Sequence, residues 1–326
     1  MARRRPEESD IRIRPAKSTR RRSKDRPSHS DSIAAQVITV DRGRTLCRIA
    51  SGQLVSAMKA RELGKNSVVV GDLVNIVGDV SGDTGSLARI VAVQPRRNSL
   101  SRTIDDAGAF EKTIAANLDQ MIIVAASADP SPRQGFIDRC LAVAFDQGIK
   151  PIIVMSKADL ADPDEFLSAY RDLEVEYLKL KRGDDLTQLH KILEAKVSVL
   201  IGHSGVGKST LVNALLGIEK RDTGDVNLTT GRGRHTSSSA ISFELPNGGW
   251  IIDTPGVRSF GLEHIDKSRV IASFTEFASV IANCPKNCSH DEATCALNNY
   301  VKTSPQASSR LASLQRLLDS SSQEII

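Results

Sequence analysis

Long hydrophobic runs are absent from this chain. Its longest apolar stretches, such as residues 121–126, fall far short of the ~18 residues a membrane-spanning helix needs. No membrane partner is expected. Nothing apolar follows Arg3-Arg4-Arg5 where a secretory signal needs its hydrophobic segment. Glu7, Glu8 and Asp10 interrupt an Arg-rich stretch that a transit peptide would keep free of acid, so the expected location is cytoplasmic. Cysteine is scarce too. There are five, an odd number, and three of them fall within residues 284–295. That excludes a disulfide framework and points to a reducing compartment with a metal site. Neither an internal repeat nor an array of zinc modules is visible.

What is present is ordinary in bulk and uneven in distribution. The 326 residues are 40% hydrophobic and 25% charged, with a mean hydropathy of −0.21. That length is about twice the prior for one domain, so two or three are expected. The net charge is +5, yet residues 1–30 hold eleven Lys and Arg against four Asp and Glu. A segment so basic and so poor in large apolar residues builds no core; residues 1–32 are expected to be a disordered tail. Its natural partner is a polyanion, because Lys and Arg release counterions from phosphate backbones. The plainer alternative is a solubilising tail.

From residue 33 short alternating segments begin. Residues 37–40, 45–49, 68–70, 73–77 and 88–93 read as strands, with turns at Asp41-Arg42-Gly43, Ser51-Gly52 and Ser81-Gly82-Asp83. Five strands in residues 33–105 suit an OB-fold barrel, although an SH3-like barrel would look similar. Residues 106–265 change character. Compact apolar runs at 121–126, 151–156, 197–202 and 250–254 alternate with helical segments at 133–147, 164–173 and 209–216. This is the pattern of a doubly wound α/β domain whose strands are buried on both faces. Residues 266–326 read as helices interrupted by the cysteine cluster.

Three motifs carry chemistry. Gly202-His203-Ser204-Gly205-Val206-Gly207-Lys208-Ser209 matches G-x-x-x-x-G-K-[ST], between a strand and a helix opening at Thr210. Its glycines let backbone N–H groups converge on phosphate oxygens. Lys208 should reach the β- and γ-phosphates and the Ser209 hydroxyl should ligate Mg²⁺. Asp253-Thr254-Pro255-Gly256 ends the next clear strand, where a carboxylate can hold Mg²⁺ and a glycine N–H can sense the γ-phosphate. Upstream lies Ser156-Lys157-Ala158-Asp159. A carboxylate at position 159 accepts hydrogen bonds from guanine N1–H and N2–H₂, which adenine lacks, while Lys157 covers the base. Together the three read as a site for GTP or GDP with Mg²⁺. The guanine motif precedes the phosphate loop, the reverse of the ordinary GTPase order, so the domain is a circularly permuted P-loop GTPase. A parallel sheet tolerates such a cut if its ligand-binding loops stay at the carboxyl edge.

With these motifs in place, the chain resembles the ribosome small-subunit-dependent GTPase A (RsgA) family over residues 33–310. Gly231-Arg232-Gly233-Arg234-His235-Thr236, Leu245-Pro246-Asn247-Gly248-Gly249 and Asp253-Thr254-Pro255-Gly256-Val257-Arg258-Ser259-Phe260 closely match its signature. Two positions depart from the pattern. Ser156 stands for the usual Asn, and Thr236-Ser237-Ser238 stands where threonines are usual, leaving the Mg²⁺ switch residue open between Thr236 and Ser237. The fifth GTPase motif, expected near residues 179–183, is too degenerate to assign. The resemblance implies a monomeric GTPase that binds the 30S ribosomal subunit late in its maturation and contacts 16S rRNA through the barrel and basic segments. It also implies His235 as the catalytic residue. Val257, placed where Ras-like enzymes carry a water-orienting Gln, can neither donate nor accept a hydrogen bond.

Cys284-x₃-Cys288-x-His290-x₄-Cys295 offers three thiolates and one imidazole, a closed tetrahedral set of the structural kind, for one Zn²⁺ per chain. Cys47 and Cys140 lie in apolar segments and read as small core residues. Two rival readings of the whole remain. One is an ATPase or metabolite kinase on the same phosphate loop, against which Asp159 argues. The other is an RNA-binding assembly factor that holds nucleotide without hydrolysing it.

Overall fold

The strands begin as the alternation requires. In this computed structural model residues 29–41, 43–64, 67–103, 111–217, 240–254, 265–286, 288–290 and 292–320 are described, so most of the basic tail lies outside them. Strands β1 (Ile33–Asp41), β2 (Arg44–Ile49), β3 (Leu54–Lys59), β4 (Leu73–Gly78) and β5 (Ala88–Val93) close in the order β1-β2-β3-β5-β4-β1. Every pairing is antiparallel except β3 with β5. That Greek-key closure is the OB-fold arrangement. Alternate residues fill the barrel: Cys47 on β2, Val55 and Ala57 on β3, Val74 and Ile76 on β4, Ile90 on β5.

Two strand assignments shift between sequence and structure. Residues 68–70 form only an isolated bridge at Val70, because Gly71, at φ +87°, turns the chain immediately afterwards. The strand in their stead, β3, is Leu-Val-Ser-Ala-Met-Lys. Leu, Ala, Met and Lys favour helices in isolation, so cross-strand packing and not propensity sets its state.

A hairpin of β6 (Ser99–Thr103) and β7 (Glu111–Ala116) follows, and its Leu100 and Ala115 belong to the core of the α/β domain. That domain contains β8 (Gln120–Ala126), α1 (Gln134–Asp146), β9 (Lys150–Ser156), α2 (Asp164–Ser168), β10 (Glu176–Lys179), α3 (Thr187–Leu193), β11 (Val197–Ile201), α4 (Lys208–Leu215), β12 (Ile241–Glu244) and β13 (Trp250–Asp253). Its strand order is β10-β9-β8-β11-β13-β12, parallel except for β12. The chain runs outward from β8 to β10, returns to the centre at β11, and completes the other half. Between β8 and β11 the direction of winding reverses, and such a switch point opens a ligand crevice at the carboxyl ends. Strand β8 is buried throughout. Its Met121 and Ile123 face one core with α1, and its Ile122 and Val124 face the other with α3 and α4.

Helices α5 (Lys267–Ala272), α6 (Ala278–Ile281), α7 (Ala296–Thr303) and α8 (Ser308–Ser320) complete the chain. Val270, Phe274, Phe277, Leu314 and Leu317 pack into the same core as α1, so this region shares the interior of the α/β domain. Burying each such Leu or Phe contributes about 1.5–3 kcal/mol. No helix among the described residues is long and apolar enough to cross a membrane.

Barrel and α/β sheet are continuous. A bulge between Val37 and Thr39 re-aims β1, so that Thr39 pairs with Leu46 inside the barrel and Ile241 on β12. Where the barrel hands over to the hairpin, Asp72 is fully buried and meets Arg96 in two parallel bonds of 2.7 and 2.9 Å. The Val69 N–H donates to the same carboxylate at 2.8 Å. Arg96→Met leaves that buried charge without its cation, and stability in urea is expected to fall by about 3–5 kcal/mol. A loss under about 1 kcal/mol would mean that water reaches Asp72.

Candidate functional site

The phosphate loop owes its shape to its neighbours. A Cβ at Gly202 would lie 2.5 Å from the Val124 carbonyl oxygen, so only glycine lets the chain leave β11 so close to β8. Gly205 and Gly207 sit at φ +83° and +85°, backbone that L side chains adopt at a cost. Val206, buried between them, anchors the loop in the core, while Ser204, Ser209 and Thr210 remain exposed at its mouth. The first turn of α4 begins at Lys208, directing free N–H groups toward an anion. Lys208 Nζ lies 2.7 Å from Asp253 Oδ1, and the pair is half-buried. The ladder brings them together: Asp253 ends β13 opposite Leu200 on β11.

Ser156 ends β9 at the same carboxyl edge. Its hydroxyl lies 2.6 Å from the Val206 carbonyl oxygen, within the phosphate loop, and 3.2 Å from that of Ala125. The departure from Asn therefore keeps a tie between the guanine segment and the phosphate loop. Lys157, at φ +54°, extends its ammonium to the Asp129 carbonyl oxygen on the loop after β8. The Ala158 N–H donates to the Leu180 carbonyl at 3.1 Å, and Asp159 is exposed beside them. The sheet thus gathers residues 156–159 and 202–210 with Asp253 along one edge.

His203 packs its ring 4.1 Å from that of Phe136 on α1. Burial, then Arg133 and Arg139, hold its pKa below the usual imidazole value. Phe136, Asp129 and Leu180 are contacts the sequence did not reveal, since none belongs to a phosphate or guanine motif. For Leu180 the available signal was only the degenerate stretch at residues 179–183.

The family model described as RsgA GTPase matches residues 93–263, more than half of the chain. The chain belongs to the RsgA GTPase family. A Pseudomonas aeruginosa protein named "Small ribosomal subunit biogenesis GTPase RsgA" is 40% identical over 242 residues, covering 71% of this chain and 70% of the relative. The crystal structure of YjeQ from Thermotoga maritima is similar in fold, with TM-score 0.63 and 24% identity over 88% of this chain and 97% of that one. The structure of YloQ, described as a circularly permuted GTPase, matches with TM-score 0.63 and 20% identity over 91% and 98%. The permuted order read from the motifs is thus an observed fold. As in its family, the chemistry is hydrolysis of GTP. His235, Thr236, Ser237 and Gly256 lie outside the described residues.

Away from the nucleotide edge, Cys284, Cys288, His290 and Cys295 bring their ligand atoms within 4.8 Å of one another. Cys284 Sγ is 3.8 Å from Cys295 Sγ, and each lies 3.7 Å from His290 Nδ1. Zn–S bonds of about 2.3 Å and Zn–N bonds of about 2.0–2.1 Å set tetrahedral edges of roughly 3.5–3.8 Å, so Cys284, His290 and Cys295 already stand at the spacing Zn²⁺ needs, with Cys288 as the fourth donor of the cluster.

Ser156→Ala would leave the Val206 carbonyl without that hydroxyl. The expected loss of about 1–3 kcal/mol corresponds to guanine nucleotide binding roughly 5- to 150-fold weaker, read with a fluorescent GDP analogue. Unchanged affinity would show that the loop keeps its shape without the tie.

Proposed function

We propose that this chain hydrolyses GTP to GDP and phosphate on the small (30S) ribosomal subunit during its late maturation, as a cytoplasmic monomer. The observation that carries the reading is the meeting of the 156–159 segment and the phosphate loop at one carboxyl edge, tied through Ser156 and Val206. The name of the P. aeruginosa relative, a small ribosomal subunit biogenesis GTPase, supports the ribosomal part. In this reading residues 33–105 and the basic tail 1–32 contact 16S rRNA, residues 106–265 bind nucleotide, and residues 266–326 hold zinc. Phosphate contacts by the tail would make association salt-sensitive.

Asp159 accepts the guanine N1–H and N2–H₂ donors. Backbone N–H groups of residues 203–209 surround the phosphates, and Lys208 exchanges Asp253 for β- and γ-phosphate oxygens when nucleotide enters. The Ser209 hydroxyl and Asp253 carboxylate supply oxygen donors that suit Mg²⁺, with Thr236 or Ser237 as the switch ligand and the Gly256 N–H facing the γ-phosphate. When bound, Mg²⁺ would supply positive charge that offsets the charge on the phosphates. Water adds to the γ-phosphorus as the bond to the β-phosphate oxygen breaks, and His235 orients that water or takes its proton.

GTP hydrolysis measured with 30S, 50S and 70S particles side by side tests the proposal. Stimulation by 30S above the other two is expected; equal rates with all three, or none above the free protein, would sink it. In the same assay His235→Ala should leave GTP affinity nearly unchanged and lower the stimulated kcat by about 10²-fold or more. An unchanged kcat removes His235 from the reaction. We also propose one Zn²⁺ held by Cys284, Cys288, His290 and Cys295. Elemental analysis should find about one zinc per chain, and Cys288→Ala should destabilise the C-terminal helices, because metal binding there contributes folding free energy.

A further inference from the structure

Helix α1 is held from two sides. Phe136, in its first turn, packs its ring 4.1 Å from His203 of the phosphate loop. Just ahead of the helix, Pro130 lies against Gly205, where a Cβ would meet its Cδ at 3.7 Å. Asp138, two residues beyond Phe136 and so roughly 200° around the helix, points the opposite way. Its side chain is 3% exposed and forms an ion pair at 3.0 Å with Arg316 of α8. The other carboxylate oxygen, Oδ1, is buried without a hydrogen-bond partner among the described residues. Burial raises the Asp138 pKa, and Arg316 is the foremost group opposing that rise. Arg316 also donates to the Ala169 carbonyl at 3.1 Å and lies over the Tyr170 ring at 5.3 Å. Beside it, Gln315 donates to the His290 carbonyl at 2.7 Å, which ties the same helix to the Cys/His cluster.

We propose that Arg316 is a positioning residue for the phosphate loop, acting through α1 and the Phe136–His203 contact. The last helix fixes α1 at Asp138, and α1 in turn presents Phe136 and Pro130 to the loop that surrounds the phosphates. A buried ion pair suits this role because removing one partner leaves a carboxylate that must either take up a proton or shift toward water, and either way the contact that fixes the helix is lost. The C-terminal region thereby sets nucleotide affinity without touching nucleotide. The inference rests on the guanine-nucleotide reading of the loop.

The test is equilibrium binding of a fluorescent GDP analogue to the full chain, together with thermal unfolding. Arg316→Met should weaken binding by about tenfold, within the range expected for a coupling residue remote from ligand. His203→Ala should weaken it too, and the double variant should be no weaker than the weaker single one, since both break the same chain of contacts. Arg310→Ala is the control. Arg310 lies on the same helix but bonds Glu276 and the Asp172 carbonyl, neither of them on α1, so its loss should lower Tm without changing affinity. Arg316→Lys keeps the charge opposite Asp138 and should bind about threefold more weakly than the natural chain. If Arg316→Met does not fold, that variant carries the test. Natural affinity in a folded Arg316 variant, additive losses in the double variant, or an equal loss from Arg310→Ala would each overturn the inference. A natural chain that shows no saturable GDP binding would instead refute the guanine reading.

Discussion

A phosphate loop works only if several backbone N–H groups stay aimed at one point, a shape that no residue within the loop can impose alone. Here the surroundings impose it. Strand β8 approaches so closely that no Cβ fits at Gly202, Val206 is sunk in the core, and Ser156 reaches the loop carbonyl from β9. Phe136 closes the remaining side against His203. Each contact comes from a different element, so the loop is as well defined as the packing of β8, β9 and α1 around it. In a water-poor, preorganised setting such N–H groups stabilise phosphate charge without having to reorient during the reaction.

The permuted chain order satisfies that constraint by a different route from the usual one. Strands β8 and β11 lie side by side whichever comes first, and their carboxyl ends define the same crevice. Permutation moves the chain termini of the α/β domain and not its edge. It also makes the barrel a neighbour of β12: Thr39 pairs with Ile241, and Arg48 of the barrel forms an ion pair with Glu244 at 3.1 Å beside Trp250. The segment just before β12 carries His235 and Thr236 in sequence, so the barrel abuts the strand that follows the expected switch.

The C-terminal helices are bound into the same interior. Leu314 and Leu317 pack beside α1, and Cys295 of the Cys/His cluster lies in the same core, with Cys284 and Cys288 packed against it. The Cys/His cluster sits in a region whose helices are mostly short; of the four, α6 has only four residues. Isolated helices of that length do not persist in water, and here the shared core and the Cys/His cluster hold them in place.

Sequence alone determined the chemistry-bearing motifs. Residues 202–209, 253–256 and 284–295 are legible because a phosphate-loop motif and a Cys/His cluster consist of particular residue types at fixed local spacing, and such spacing survives without any knowledge of the fold. Central strands were equally readable, since burial on both faces forces continuous apolar runs such as that of β8. Short or atypical strands were not: β10 and β12 have four residues each, and β3 is built from helix-favouring residues. Only the tertiary structure decided what Ser156 does in place of Asn, because its partner Val206 is brought to it by two strands that lie apart in the chain. The same holds for Arg316 and Asp138, and for the β3–β5 pairing that makes the barrel an OB-fold. These contacts join residues distant in sequence, and the physical reason they could not be read is that no local pattern encodes which buried surfaces will meet.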